Sequence, residues 1–205
     1  MRARHITGIT LGFGFAAALA MAAAPAAQQR PLTLDTAKVT IDGTSNVHAY
    51  TASTTALRVT RVELADGVAG PGFWDAIVKP GSLTAFEIAI PAATLKSAKD
   101  DLDKNMHKAL NVKEHADITF RLVRVEPKSA GVVRGIGVVR INGVEKEVAL
   151  EIKTERREAA LVVKGETSLL MTDFGITPPK AMLGMLRTDP KVKVTFETVL
   201  SVPLT

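Results

Sequence analysis

The stretch RGIGVVRINGVEKEVALEIK, residues 134–153, constrains the fold more than any other part of the chain. Asn142-Gly143 stands between two runs that alternate apolar and polar residues. A two-residue type I′ turn needs positive φ at both central positions, which Asn and Gly tolerate. The stretch is therefore read as a β-hairpin. In its second arm Val144, Val148, Leu150 and Ile152 share one face, and Glu145, Glu147, Glu151 and Lys153 share the other. Phe86, Ile88 and Ile90 alternate likewise, as do Ile118, Phe120 and Leu122, and near the C-terminus Val192, Val194, Phe196, Leu200 and Val202. Val138 is assigned inward by the same rule.

Strands are predicted near 33–42, 45–55, 56–64, 82–90, 116–126, 131–141, 144–154, 158–171 and 190–203. Long strands with one polar and one apolar face, joined by short turns, favour an antiparallel sheet that must cover its apolar face. Closing a sheet of about eight strands into a barrel covers that face and removes the exposed edges. A two-sheet sandwich is the alternative.

One segment breaks the β pattern. In SAKDDLDKNMHKALN, residues 97–111, the apolar Ala98, Leu102, Met106, Ala109 and Leu110 fall on one face of a helix. Ser97 is the expected N-cap, with Asp100 reaching back to it. Asp100, Asp101 and Asp103 precede Lys104, Lys108 and Lys113, the order that the helix dipole favours. Free apolar surface on a barrel lies at its mouth, so the segment near 92–111 is read as a lid.

The N-terminus reads as a secretory signal peptide over residues 1–26: Arg2 and Arg4, an apolar run, then Ala24-Pro25-Ala26 as a cleavage site. A membrane anchor is the rival, but the run is mostly Ala and Gly, which makes it only weakly hydrophobic. A periplasmic location follows from that reading, with one domain over 31–205. Removing Arg2 and Arg4 lowers the net charge from +5 to +3, too little and too evenly spread to argue for nucleic acid. Transient contact with an anionic membrane surface is the most that this charge supports. The absence of cysteine excludes disulfides, thiolate metal sites, a cysteine nucleophile and covalent haem.

Catalytic and metal signatures are missing. There is no G-x-S-x-G, no phosphate loop before a helix and no H-E-x-x-H. His48, His107 and His115 lack metal-ligand spacing, and strand alternation sends Ser45 to the face opposite Asp42 and His48. No cofactor and no enzymatic activity are expected.

Four segments, IDGTSNVHAYTASTT, LKSAKDDLDKNMHKALNVKEHADITF, GVVRINGVEKEVALEI and MTDFGITPPKAMLGMLRTDPKVKVTFETVL, occur in this order from about Leu34 to Leu200. Together they resemble the YceI-like family of secreted bacterial proteins. That resemblance implies a lipocalin-like antiparallel barrel with a helical excursion across one end. It also implies a long apolar tunnel that holds a polyisoprenoid chain in characterised relatives. The expected ligand is then an isoprenoid lipid of the polyprenol or quinone type. This chain is poor in aromatics, with one Trp, one Tyr and seven Phe, so the lining is expected to be mainly aliphatic.

Phe86, Ile88, Ile118, Phe120, Val138, Val148 and Leu150 are the candidate tunnel lining, and Leu102, Met106, Phe174 and Met182 the candidate mouth. Phe73 and Trp74, in the Gly/Pro-rich GPGFWDA, either rim the entrance or plug one end. The residues alone favour a filled core for the inward set; the resemblance implies an open one. A filled barrel that serves as an envelope stress or interaction module is the principal alternative function. A lipid or amide hydrolase is the third.

Overall fold

The computed structural model describes residues 32–181 and 185–202, so the leader reading and Met182 lie outside the described residues. The first half holds β1 (Thr33–Ser45), β2 (Ala49–Thr54), β3 (Arg58–Leu64), a short helix α1 (Phe73–Ile77), β4 (Leu83–Pro91), β5 (Lys96–Ser97) and helix α2 (Asp100–Ala109). The second half holds β6 (Asp117–Ser129), β7 (Val132–Ile141), β8 (Val144–Arg157), β9 (Ala160–Leu170), a 3-10 turn at Met171–Phe174, β10 (Lys180–Ala181) and β11 (Leu186–Ser201). All nine predicted strands are present, and β5 and β10 are additional two-residue strands. The turn between β7 and β8 has φ of 50° at Asn142 and 77° at Gly143, as its dipeptide predicts.

Every ladder is antiparallel, and the strands follow the order β3-β4-β6-β7-β8-β9-β11-β1-β2-β5, with β10 paired to β11 beside that path. The sheet curls into a half-barrel whose first and last strands share no ladder. Its two edges are instead drawn together by the chain. Residues 55–57 lead from β2 directly into β3, and residues 92–95 lead from β4 into β5, which pairs with β2. The Thr54 and Thr94 hydroxyls meet across this seam at 2.8 Å, and Thr94 also donates to the Pro91 carbonyl at 2.7 Å. Ala52, Thr54, Ala92 and Leu95 are all buried here. Small and satisfied polar side chains thus let the two edges approach without leaving a polar group stranded.

Two apolar clusters close the ends. At one, Phe73, Trp74 and Ile77 of α1 pack with Leu32, Leu161 and Leu200. The Phe73 and Trp74 rings meet edge to face, with centroids 5.0 Å apart. Of the two readings of GPGFWDA, the structure favours the plug. At the other end Phe174 and Ile176 pack with Val139 and Ile141, joined by Ala109 at the end of α2, by its C-cap Leu110 and by Met171. Phe174, only 2% exposed, is held under the β7–β8 hairpin, whose Asn142 Nδ2 donates to the Phe174 carbonyl at 3.2 Å.

Helix α2 starts later than predicted. Its N-cap position is Lys99, and Ser97 belongs to β5. The reason is Asp103, 4% exposed, whose Oδ1 accepts the Ser97 backbone N–H at 2.7 Å and the Ser97 hydroxyl at 2.8 Å. Its Oδ2 lies 3.3 Å from the Lys96 ammonium. One turn on, His107 Nε2 is hydrogen-bonded to the Leu95 carbonyl at 2.9 Å. Asp103 and His107, four residues apart and so on one helix face, clamp α2 to the seam.

The Ser97 hydroxyl and backbone N–H, aided by Lys96, hold the Asp103 carboxyl below its ordinary value. A carboxyl whose pKa is depressed by folding stabilises the fold above its unfolded value, about 3.9, and loses that effect as pH falls through the lower folded value. The protection of the α2 amides, taken relative to their intrinsic exchange rates, is expected to fall as the solution is acidified below about pH 4 in the native chain. In Asp103→Asn that protection is expected to be low already at neutral pH and to change little on acidification. Trp74→Ala is expected to destabilise the whole domain by about 3–5 kcal/mol in denaturant unfolding, because it empties a closed cluster.

Candidate functional site

Cross-strand partners in an antiparallel ladder carry their side chains on the same face. The register therefore separates the two faces of the wall. Phe120 pairs with Ile88 on one side and Val139 on the other, and Ile118 pairs with Ile90. Val148 pairs with Gly137, Leu150 with Gly135, and Ile152 with Gly165. Phe196 pairs with Gly165 and Val39, and Val194 with Ile41. These residues form the concave face. The convex face carries ion pairs such as Lys164–Glu197 at 3.2 Å and Lys193–Glu166 at 2.8 Å.

Between the two end clusters the concave face is apolar but incompletely covered. Phe86, Ile88, Ile90, Leu122, Ile152, Val194 and Phe196 are only half-buried. A filled barrel would enclose side chains in these positions; here they keep part of their surface accessible.

The candidate residues divide accordingly. Phe86, Ile88, Ile118, Phe120, Val148 and Leu150 share the concave face, as predicted. Phe73 and Trp74 lie in the floor and Phe174 in the opposite end cluster. Leu102 and Met106 are half-buried on α2, beside the clamp formed by Asp103 and His107. Val138 is corrected. It pairs with Arg121 and Glu147, so it lies on the convex face, and Val139 is the inward residue. The Val138-Val139 doublet satisfies either phase of an alternation, and the inward positions before it are Gly135 and Gly137, where the pattern shows no bulk. Val202, also read as inward, lies beyond the end of β11 and is exposed.

Those glycines are what sequence reasoning missed. A Cβ on Gly137 would overlap the Phe120 ring, one on Gly165 the Phe196 ring, and one on Gly43 the Tyr50 ring. A Cβ on Gly135 would come within 2.7 Å of Ile152 Cδ1. Each bulky side chain thus fills the space over a neighbouring glycine where a Cβ would stand. Burial raises the pKa of the Tyr50 hydroxyl, and the charge of Asp189 adds to the effect. The available signal was G-x-G inside a strand, which marks a close approach to the backbone, but its partner ring could be found only from the register.

The histidines go to structural places. His107 fastens α2, the His115 ring lies against Gly143, and His48 is exposed beside the β1–β2 turn. Among the described residues no three metal-ligating side chains converge. A separate cleft of about 420 Å³ opens where the β8–β9 ladder ends at Glu151–Glu166. Its carboxylates are already paired, Glu151 with Lys128 at 2.6 Å and Glu166 with Lys193 at 2.8 Å.

Three solved structures share this architecture. BcnA of Burkholderia cenocepacia superposes with a TM-score of 0.63 at 12% identity, over 80% of this chain and 95% of that one. A polyisoprenoid binding domain from Saccharophagus degradans, implicated in plant cell wall breakdown, gives 0.62 at 12% identity over 85% and 99%. The YCEI protein of Campylobacter jejuni gives 0.57 at 11% identity over 75% and 85%. At such identities the likeness establishes the fold. No curated protein sequence matches the chain significantly. The model of the YceI-like domain matches residues 14–200, nearly the whole sequence, with the DKNM and MTDFGI segments inside it. The chain belongs to the YceI-like family.

Proposed function

We propose that this protein is a non-catalytic carrier for a long isoprenoid lipid, of the polyprenol or isoprenoid-quinone type, held in the lumen of the half-barrel. The half-exposed apolar lining carries this reading: Phe86, Ile88, Leu122, Val194 and Phe196 face a space between two packed ends. Such a lining fits a flexible hydrocarbon chain and offers few groups for chemistry. That a structural neighbour is a polyisoprenoid binding domain agrees with it. The leader read over residues 1–26 puts the carrier in the periplasm, between two membranes that contain such lipids. Val47 and Met185, 65% and 67% exposed, are held side by side by Asn46, which donates to the Met185 carbonyl at 2.7 Å. They are the apolar tips that would touch a lipid surface during exchange.

The cargo is tested by purifying the protein from a bacterial periplasm without detergent and analysing an organic extract by mass spectrometry. An isoprenoid in near-stoichiometric amount is expected. A protein that stays empty after incubation with total bacterial lipid would overturn the carrier reading in favour of a protein-binding module.

The lid has its own test. Met106→Asp is expected to leave the unfolding midpoint almost unchanged, because the side chain is only half-buried. Lipid transfer to acceptor vesicles should accelerate about tenfold, the equivalent of losing one or two buried methylenes at ~0.8 kcal/mol each. Unchanged transfer at unchanged stability would remove α2 from the release pathway.

A further inference from the structure

We infer that the inner-wall glycines, Gly165 and Gly137 above all, set the bore of the lumen, and so decide whether it admits a methyl-branched chain or only a slim unbranched one. The inference rests on the carrier reading only for the identity of the chain.

The geometry is specific. Gly165 lies opposite Phe196 in the β9–β11 ladder, on the concave face, and the ring occupies the space where a Cβ would stand. A methyl group there would also meet the Glu151 carbonyl oxygen at 3.0 Å, so it cannot be accommodated by shifting towards β8. Gly137 repeats the arrangement with Phe120, whose ring reaches diagonally across the β6–β7 ladder past its direct partner Val139. The Arg121 carbonyl oxygen lies 2.8 Å from the hypothetical Cβ of Gly137. In both places backbone blocks one side, so the ring is the part that must move. With backbone beside the glycine, a displaced ring is pushed off the wall, towards the concave interior.

Glycine in a strand interior normally weakens the strand, because it orders a flexible residue and packs no side chain. Here an aromatic ring recovers that loss by covering the glycine. Its second consequence is the useful one. A ring that sits where a Cβ would stand adds little to the thickness of the lining, whereas a ring pushed off the glycine would project further into the interior. Isoprenoid chains carry a methyl branch at every repeat, so they need a wider passage than a linear chain of equal length. A single added methylene in a tight apolar pocket changes selectivity by about ten- to two-hundredfold.

The test compares geranylgeraniol with hexadecanol, branched and unbranched alcohols of the same backbone length. Binding of each is measured for the native protein, Gly165→Ala and Gly165→Ala/Phe196→Leu. Gly165→Ala is expected to keep hexadecanol and to lose about tenfold or more in affinity for geranylgeraniol. The double variant, which removes the displaced ring, should recover the branched alcohol. Xenon uptake, which requires space but no isoprenoid recognition, should fall and recover in parallel. If folded Gly165→Ala binds both alcohols and xenon as the native protein does, the bore inference is overturned. It is overturned equally if the folded double variant fails to recover. A native protein that takes up xenon but neither alcohol would overturn the carrier reading, and the xenon series would still decide the bore.

Discussion

The rest of the molecule depends on an imbalance between its apolar surface and the means to cover it. An antiparallel sheet ten strands wide along its path presents one apolar face, and among the described residues only α1, α2 and a few 3-10 turns are available to lie against it. A sheet in that position must bury the face on itself, and curling is the way to do so. Curling does not require the edges to meet in a ladder. Here two short links and a pair of threonine hydroxyls hold them near one another. The helices are then left to deal with the ends, where a curled sheet exposes its interior. Trp74 and its neighbours close one end, and Phe174 with the last turn of α2 closes the other.

Covering both ends while leaving the middle half-exposed is costly for a domain without disulfides. The apolar side chains between the clusters gain less from burial than those of a filled core. Stability must come disproportionately from the ends and the seam. Several of the best-buried residues are placed accordingly: Ala52, Ala92 and Leu95 at the seam, Phe174 and Ile77 at the ends, and Asp103 beneath α2. The same need explains why a buried carboxylate is tolerated at all. Asp103 accepts two hydrogen bonds from a single serine and faces a lysine, so the cost of removing it from water is largely offset. In return the first turn of α2 is tied to β5, next to the seam.

How far the sequence revealed this depends on what kind of signal each feature leaves. The hairpin at Asn142-Gly143 and the long alternating strands follow from local rules, and they are found where those rules put them. The lid helix was also legible, but its start was misplaced. Ser97, Asp100 and Asp103 all look like capping residues, and only the position of β5 shows that Asp103 holds Ser97 rather than Asp100. Val138 went to the wrong face for a related reason. Alternation is read from bulky residues, and on β7 the inward positions 135 and 137 are glycines. The glycine–ring pairs were illegible because each depends on a cross-strand register that no single strand encodes.

An open apolar lumen also bears on how tightly a cargo could be held. Counted from water, a chain of around forty carbons at ~0.8 kcal/mol per methylene would exceed the practical ceiling near −20 kcal/mol. The comparison is misleading, since such a lipid comes from a bilayer, where its carbons are already dry. Transfer then exchanges one apolar environment for another, and the balance is set by fit and by the ordering of the chain. Rings that fill the space over glycines add little relief to the lining, so a carried chain would meet few barriers to sliding. On the carrier reading, discrimination between cargoes would arise where the inner wall is backbone glycine. On that reading, a wall built in this way would suit exchange, and its selectivity would reside in width more than in polar recognition.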